Sequence, residues 1–307
     1  MAAGLGLVFV AMIWGSAFVV VKSATATVPT ALLIFYRFGI ASVLMGALFF
    51  RRLRGLTASD FKWGLLIGFQ TFLAFALQTG GVKRTTAGKN AFLTTAYCVI
   101  VPFLYWAVRR EKPRRAQLFS AFLCIAGIGL LSLETGGNVN LGDLLSLACS
   151  FVFAIQIVTI GILTENADPI RLCFTQTAAT AALALPAALF TGPLPAALPA
   201  GSVFSLLYLG VVSTMLTTVL QNICQKYTPP SKASLIMSLE SVFGTVCGIL
   251  VLHEGLSLRT FAGFALIFAA IVLSEWDPRS SRGAERQPPS VPAECCDPPR
   301  RKNGRQV

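Results

Sequence analysis

Long apolar stretches follow one another along almost the whole chain, and the short segments between them carry most of the charged residues. Each stretch is about 20 residues long, which is the helix length needed to cross about 30 Å of hydrocarbon. Because the stretches lack the alternation of barrel strands, they predict helices. The expected helices are 4–22, 30–50, 62–81, 88–108, 116–133, 142–163, 170–190, 202–224, 232–252 and 259–276. The predicted fold class is therefore all-α, a polytopic membrane protein with ten transmembrane helices.

One part of this pattern occurs twice. A single displacement along the chain, called the repeat shift below, places the segment 78–134 on 221–277 without a gap. The polar residues that coincide are Gln78 with Gln221, Lys83 with Lys226, Thr85 with Thr228, Lys89 with Lys232 and Glu111 with Glu254. Since each copy holds five helices, an odd number, the second copy should enter the membrane from the opposite side. We expect a 5+5 inverted repeat, with the first repeat at 1–135 and the second at 136–276.

Composition and charge support a membrane protein rather than a nucleic-acid-binding one. Hydrophobic residues make up 55% of the chain and charged residues 12%, against about 25% charged in soluble domains. With a cytoplasmic N-terminus, 19 Lys and Arg fall on the inner side and 5 on the outer side. The positive-inside rule therefore predicts that both termini are cytoplasmic in a multi-pass membrane protein. The Pro- and Arg-rich segment 277–307 is expected to be a disordered cytoplasmic tail.

Several short motifs carry a resemblance to a known family. They are Trp14-Gly15-Ser16-Ala17-Phe18 with Lys22, Tyr36-Arg37-Phe38, Lys89-Asn90-Ala91-Phe92-Leu93, Leu239-Glu240-Ser241-Val242-Phe243 and Glu254-Gly255-Leu256. In this order they resemble the EamA family of the drug/metabolite transporter (DMT) superfamily. The resemblance implies a ten-helix inner-membrane carrier for amino acids, other metabolites or toxic compounds. Ser241 stands where that family commonly has proline, so a weaker kink is expected there.

Two charged residues lie inside predicted spans, where each costs roughly 2.5–3.5 kcal/mol unless it faces a cavity or a partner. Glu240 is interpreted as a substrate-binding or proton-coupling carboxylate, with a purely structural acid as the alternative. Arg37 is interpreted either as an anchor for a substrate carboxylate or as the ion-pair partner of Glu240.

Polar stripes on apolar helices supply the other substrate-binding candidates. Asn90, Thr94 and Tyr97 share one helix face, and the repeat places Tyr97 on Glu240, so this stripe is expected to line a cavity. Helix–helix hydrogen bonding is the alternative. Trp14, with Ser16 beside it, is expected to contact the cavity. The remaining polar positions are interpreted as packing contacts: Gln70, Gln78, Gln156, Gln176, Thr214, Thr217 and Gln221.

Lys89 and Lys232 begin two helices at matching places in the repeat. In related phosphate and nucleotide-sugar carriers, lysines near these helix starts look like substrate ligands, so the resemblance makes both possible ligands. The alternative is that each lysine extends to the membrane interface. Glu111 and Glu254 are expected to stabilise helix N-termini through the helix dipole.

The sequence shows no catalytic constellation, cofactor motif or metal cluster, and an enzyme is not expected. The prediction is a secondary transporter of a small polar metabolite, an amino acid or related compound. The resemblance favours export, and protons are the candidate coupling ion. Its expected partners are the substrate and the lipid bilayer, with no nucleic acid, and it would act as a monomer or homodimer. The alternative is a non-transporting receptor, scaffold or lipid scramblase on the same helical frame.

Overall fold

The computed structural model describes residues 2–110, 112, 115–132, 140–190, 200–255 and 257–275. The disordered tail predicted at 277–307 and the capping role predicted for Glu111 lie outside these residues. Every regular element in the described ranges is helical, which confirms the all-α class.

The helices are α1 Ala2–Ala24, α2 Thr30–Leu48, α3 Phe50–Leu53, α4 Ala58–Val82, α5 Ala87–Thr94, α6 Tyr97–Arg109, α7 Arg115–Ser132, α8 Leu141–Leu163, α9 Pro169–Phe190, α10 Ala200–Leu207, α11 Thr217–Lys226, α12 Pro230–Met237, α13 Glu240–Leu252 and α14 Leu258–Glu275. A π-helical segment, Tyr208–Leu216, joins α10 to α11. Eight helical stretches in the described ranges are long and apolar enough to cross a membrane. Shorter apolar stretches lie in α7 and α14. A multi-pass membrane protein is thus supported, and the ten-helix arrangement stays a prediction.

Three of the predicted helices are not continuous. The helix expected at 88–108 is interrupted between α5 and α6, and the helix expected at 232–252 is interrupted between α12 and α13. The helix expected at 202–224 contains the π-helical segment. These interruptions correct the prediction of uniform spans.

Each of the two breaks contains a side-chain hydroxyl that bonds a backbone carbonyl. Thr95 donates to the carbonyl of Phe92 at 2.9 Å, and Ser238 donates to the carbonyl of Leu235 at 2.6 Å. Hydroxyls that bond nearby carbonyls compete with the backbone ladder. At both breaks the backbone then closes shorter hydrogen bonds of the 3₁₀ type. The second break forms although Ser241 replaces the family's proline.

The two halves of the chain have recurring element bounds. The repeat shift carries the bounds of α5, α6 and α7 onto those of α12, α13 and α14. It also carries Arg110 (φ 62°) onto His253 (φ 52°), the two residues with positive φ at which the broken helices end. A slightly shorter displacement, called the α1–α8 shift below, carries both ends of α1 onto both ends of α8. The repeat is therefore visible in the backbone, and its opposite orientation across the membrane stays a prediction.

Packing interleaves the two halves around the breaks. α1 packs against α12 and α13, while α8 packs against α5 and α6. α7 and α14, which correspond to each other, pack together. The crossing of α1 and α13 is close because a Cβ on Gly15 would lie 2.4 Å from Cβ of Phe243. This contact fixes the start of α13, where Glu240 lies, against the middle of α1.

Candidate functional site

A cavity lies between α1, α2, α4, α6, α8, α11 and α13, and its lining surrounds about 560 Å³ of space free of protein atoms, part of which is open to solvent. It is lined by Trp14, Ala17, Phe18, Val21, Arg37, Phe75, Gln78, Val82, Tyr97, Phe153, Gln156, Ile157, Gln221 and Glu240. Most of this lining is apolar or aromatic, with three amides and two ionisable charges. Ligand sites commonly combine an apolar wall with a few polar groups that fix orientation.

Most lining residues come in corresponding pairs from the two halves of the chain. The repeat shift pairs Gln78 with Gln221 and Tyr97 with Glu240, and the α1–α8 shift pairs Trp14 with Phe153, Ala17 with Gln156 and Phe18 with Ile157. Both helix breaks therefore open on one cavity. It occupies the place where the two repeats meet.

Tyr97 and Glu240 form the centre of the site. They are the first residues of α6 and α13, and the Tyr97 hydroxyl donates to Oε1 of Glu240 at 3.1 Å. Only 2% of Tyr97 and 4% of Glu240 is exposed. The Tyr97 hydrogen bond favours a carboxylate at this position, whereas burial disfavours one. Within the described residues Oε2 makes no hydrogen bond, so that atom is available to a ligand.

Arg37 is bound to the π-helical segment. Its Nε donates to Oγ1 of Thr214 at 2.5 Å, and its Nη2 donates to the carbonyl and the hydroxyl of Ser213 at 3.1 and 3.0 Å. Its guanidinium also lies 4.5 Å from the ring centroid of Phe75, a cation–π contact. Nη1 makes no hydrogen bond to any residue in the described part of the chain.

Arg37 and Glu240 line the same cavity but do not form the ion pair that was one sequence-based alternative. No ion pair joins them within the described residues, since Arg37 bonds the π-helical segment and Glu240 bonds Tyr97. The π-helical segment supplies three acceptors to Arg37, of which two are side-chain hydroxyls and one is a backbone carbonyl. Both charges are thus partly satisfied without neutralising each other.

Trp14 lines the cavity as expected, while Ser16 does not. The Trp14 indole donates to Oγ1 of Thr217 at 2.9 Å and to the carbonyl of Ser213 at 3.3 Å. The Ser16 hydroxyl bonds the carbonyl of Ile13 and the hydroxyl of Tyr208. Ser16 therefore connects α1 to the π-helical segment rather than facing a substrate.

Asn90 and Thr94 also lie outside the cavity wall. Asn90 is fully buried and donates to Oγ of Ser146 at 2.6 Å and to the carbonyl of Gln78 at 3.3 Å. Thr94 is fully buried against the thiol of Cys149. For Asn90 the geometry fits the alternative, helix–helix hydrogen bonding, whereas Oγ1 of Thr94 is buried without a hydrogen-bond partner in the described residues.

The two lysines have different surroundings. Lys89 pairs with the fully buried Asp143 at 3.3 Å, and Asp143 also accepts from Oγ1 of Thr85 at 2.7 Å. Lys232 is exposed. Neither lysine lines the cavity.

Part of the site was not predicted from the sequence. Gln78, Gln156 and Gln221 were interpreted as packing residues, but all three line the cavity. The coincidence of Gln78 with Gln221 in the repeat was a usable signal.

Glu254 does stabilise a helix N-terminus, but it is that of α5, where it accepts from the backbone of Ala87 at 2.6 Å and of Gly88 at 3.0 Å.

The chain resembles known transporters over most of its length. The sequence profile of the EamA-like transporter family matches residues 1–133 and 140–276. Two proteins of Archaeoglobus fulgidus are each described as an uncharacterized transporter. One is 35% identical over 273 residues, which cover 89% of this chain and 85% of its own. The other is 24% identical over 273 residues, which cover 86% and 93%. A solved crystal structure of a protein has a similar fold, with a TM-score of 0.69 at 18% identity over 89% of this chain and 96% of that one.

Proposed function

The chain belongs to the EamA-like transporter family, and we propose that it is a secondary transporter of a small zwitterionic metabolite, an amino acid or a related compound. The observation that carries this proposal is the presence of both Arg37 and Glu240 on the wall of one buried cavity. Each keeps one hydrogen-bonding atom, Nη1 and Oε2, without a partner in the described residues. A substrate with an ammonium and a carboxylate group would satisfy both.

The surroundings of these charges favour a substrate with an apolar portion. Trp14, Phe75 and Phe153 contribute aromatic rings to the wall, and rings of this kind pack against hydrocarbon groups or cations. The amides Gln78 and Gln221 would bond polar groups at either side. An ionised substrate that loses water on entry needs opposite charges close by, which the two buried ionisable residues supply.

Alternating access is supported by the recurrence of the element bounds. Inverted repeats place the substrate site between the halves, and exchange of their conformations opens the site to either side. Both termini would be cytoplasmic, as the Lys and Arg distribution predicts. On the family resemblance, the membrane would be the cell (inner) membrane and the net direction would be export.

A binding screen tests the substrate class. Purified protein would be heated with amino acids, with matched amines lacking the carboxylate, and with matched acids lacking the ammonium. Zwitterions should raise Tm, because a ligand that binds only the native state stabilises it. Each singly charged analogue should give a smaller shift. In Arg37→Gln, a zwitterion should raise Tm no more than the matched amine that lacks the carboxylate. In Glu240→Gln, it should raise Tm no more than the matched acid that lacks the ammonium.

Gln176→Leu is the matched control, since Gln176 is a buried amide that does not line the cavity. It should leave the ligand-induced shift unchanged. Equal shifts for zwitterions and singly charged analogues in the wild type would overturn the assignment of substrate class.

Proton coupling through Glu240 is a separate part of the proposal. A carboxylate that alternately binds a proton and a substrate ammonium would couple the two movements by exclusion. Transport into proteoliposomes should depend on a pH gradient in the wild type and lose this dependence in Glu240→Gln. Gradient-driven transport that survives this substitution would leave Glu240 only the role of a substrate anchor.

A receptor, scaffold or lipid scramblase on the same frame was the alternative. The convergence of Trp14, Arg37, Tyr97 and Glu240 on one cavity supports transport over a scaffold, because a scaffold has no need of a shared polar site. A receptor would bind the substrate without moving it. Flux of labelled substrate measured together with flux of labelled lipid separates these possibilities: a transporter moves only the former.

A further inference from the structure

The cavity extends unequally along corresponding helices. On α1 and α4 it reaches Val21 and Val82, both within a few residues of the helix ends. On α8 and α11 the lining residues nearest the C-terminal ends of the helices are Ile157 and Gln221, and neither is as close to its helix end as Val21 or Val82. The cavity therefore runs from the centre towards one end of the helical bundle, between α1 and α4.

The residues that would continue the cavity towards the other end follow from the repeat. The α1–α8 shift carries Val21 onto Ile160, and the repeat shift carries Val82 onto Gln225. All four residues are buried, but Val21 and Val82 line the cavity whereas Ile160 and Gln225 do not. The cavity thus extends between α1 and α4 and does not reach the corresponding place between α8 and α11.

A specific hydrogen bond crosses between α8 and α11 at this place. Nε2 of Gln225 donates to the carbonyl of Ile157 at 3.2 Å and so joins α11 to α8. Its Oε1 is buried and has no partner among the described residues. Val82, the counterpart of Gln225, has no side-chain donor and cannot make the corresponding bond to α1. The two ends of the molecule therefore differ in one interhelical bond.

We infer that the second half of the substrate pathway opens between α8 and α11, and that Gln225 is the positioning residue that holds it closed. This inference rests on the proposed alternating access. When the pathway opens, the bond from Gln225 to Ile157 breaks, and water reaches the Gln225 amide and its unpartnered oxygen. The loss of one such hydrogen bond should shift the equilibrium between the two forms on the order of 2- to 10-fold.

Thiol accessibility tests the inference at corresponding positions. Val21→Cys and Ile160→Cys are introduced separately into the full chain, and a water-soluble, charged thiol reagent is followed by peptide mass spectrometry, which separates these sites from the native cysteines. Val21→Cys should react faster than Ile160→Cys. Adding Gln225→Val, the residue found at its counterpart, should raise the Ile160→Cys rate about 2- to 10-fold and lower the Val21→Cys rate.

Asn222→Val is the matched control, because Asn222 is a fully buried amide on α11. Among the described residues it donates only within its own helix, to the carbonyl of Thr218 at 2.9 Å. It should move neither rate. Rates that are unchanged by Gln225→Val would overturn the inference. So would a rise at both positions, since that indicates general loosening rather than an exchange between two forms.

The same measurements separate this inference from the substrate proposal. Reciprocal changes in the two thiol rates, with no zwitterion bound in the thermal screen, would support the pathway and overturn the substrate class. Binding and transport of zwitterions, with thiol rates indifferent to Gln225→Val, would overturn the pathway alone.

Discussion

The two broken helices, α5–α6 and α12–α13, have the same backbone and different chemistry. Their element bounds coincide throughout under the repeat shift, and each break is closed by a hydroxyl-bearing residue, Thr95 or Ser238. The residue that starts the second half of each helix differs. It is Tyr97 in the first and Glu240 in the second, and the two bond each other.

This difference shows how a repeated frame can hold a single asymmetric site. Two glutamates at these positions would repel each other in a low-dielectric cavity, and two tyrosines would leave it without a negative charge. One donor opposite one acceptor satisfies part of the carboxylate and leaves the rest for a ligand. The symmetry of the backbone positions the pair, and the asymmetry of the side chains supplies the charge.

The largest change in unfolding free energy is expected at the close crossing of α1 and α13. The counterpart of Gly15 on α8 is Ala154, so the α6–α8 contact already accommodates a methyl group that the α1–α13 contact does not. Gly15→Ala would place Cβ 2.9 Å from the backbone nitrogen of Gly244 and should cost about 1–3 kcal/mol of unfolding free energy.

Gly39→Ala is the control for this change. A Cβ on Gly39 meets no described atom within 4 Å, and alanine favours the helix by about 0.5–1 kcal/mol. Thermal unfolding in detergent should show opposite signs for the two variants. Equal effects would mean that the two crossings do not differ as described.

The next effect concerns the asymmetric pair. Glu240→Gln should weaken binding of a zwitterionic ligand at least about tenfold, or about 1.4 kcal/mol, because it removes the charge. Tyr97→Phe keeps the carboxylate and removes one of its donors, so it should cost about 0.5–1.5 kcal/mol. Calorimetric titration of both variants and of the double variant should show non-additive losses, as expected of residues in contact. A greater loss for Tyr97→Phe would reverse the roles assigned to the two residues.

A smaller effect on stability is expected from the different capping of α5 and α12. Glu254 accepts two backbone hydrogen bonds at the start of α5, whereas α12 begins at Pro230 without a side-chain cap. Glu254→Gln should cost about 1 kcal/mol of stability, since a capping carboxylate also interacts with the helix dipole. Glu165→Gln, which alters only an exposed pair with Arg109, should change thermal unfolding little. Similar shifts in both variants would argue against a cap at α5.

The breaks themselves should respond alike. Thr95→Val and Ser238→Ala each remove one hydroxyl bond to a backbone carbonyl, and each should change the unfolding free energy by about 0.5 kcal/mol. A large difference between them, measured by chemical denaturation, would show that the two breaks are maintained by different interactions.

The smallest effect lies outside the membrane-spanning helices, at the start of α9. Burial raises the pKa of Asp168, but hydrogen bonds from Arg52 and from the backbone of Arg171 and Ile170 outweigh it and lower the pKa. The folded pKa lies below the unfolded one, so the stabilisation is present above the unfolded pKa and is lost as pH falls through the folded pKa. Asp168→Asn should flatten this acid dependence of Tm slightly, because the group is largely solvated. If the decrease of Tm at low pH is unchanged in Asp168→Asn, Asp168 does not contribute to acid sensitivity.

The hydrophobic pattern predicted the frame better than the site. Apolar stretches and the repeat shift are properties of the chain alone, and the shift already paired Tyr97 with Glu240. The helix breaks could not be predicted, because hydroxyl residues such as Thr95 and Ser238 also occur within unbroken helices, as Ser150 does in α8. Phe153 and Gln156 were missed because α8 follows α1 by a shorter displacement than the repeat shift. The partners of Arg37 depend on π-helical geometry, which the hydrophobic pattern does not encode.

The start of α5 is bound to three separate parts of the molecule. Lys22 at the end of α1 donates to the carbonyl of Thr85, Asp143 at the start of α8 pairs with Lys89, and Glu254 before α14 holds the first backbone amides. The start of α12 has none of these contacts in the described structure, and its Lys232 is exposed. Backbone amides of α5 should accordingly exchange with deuterium more slowly than those of α12. Slower exchange in α5 would identify it as the more rigid of the two half-helices.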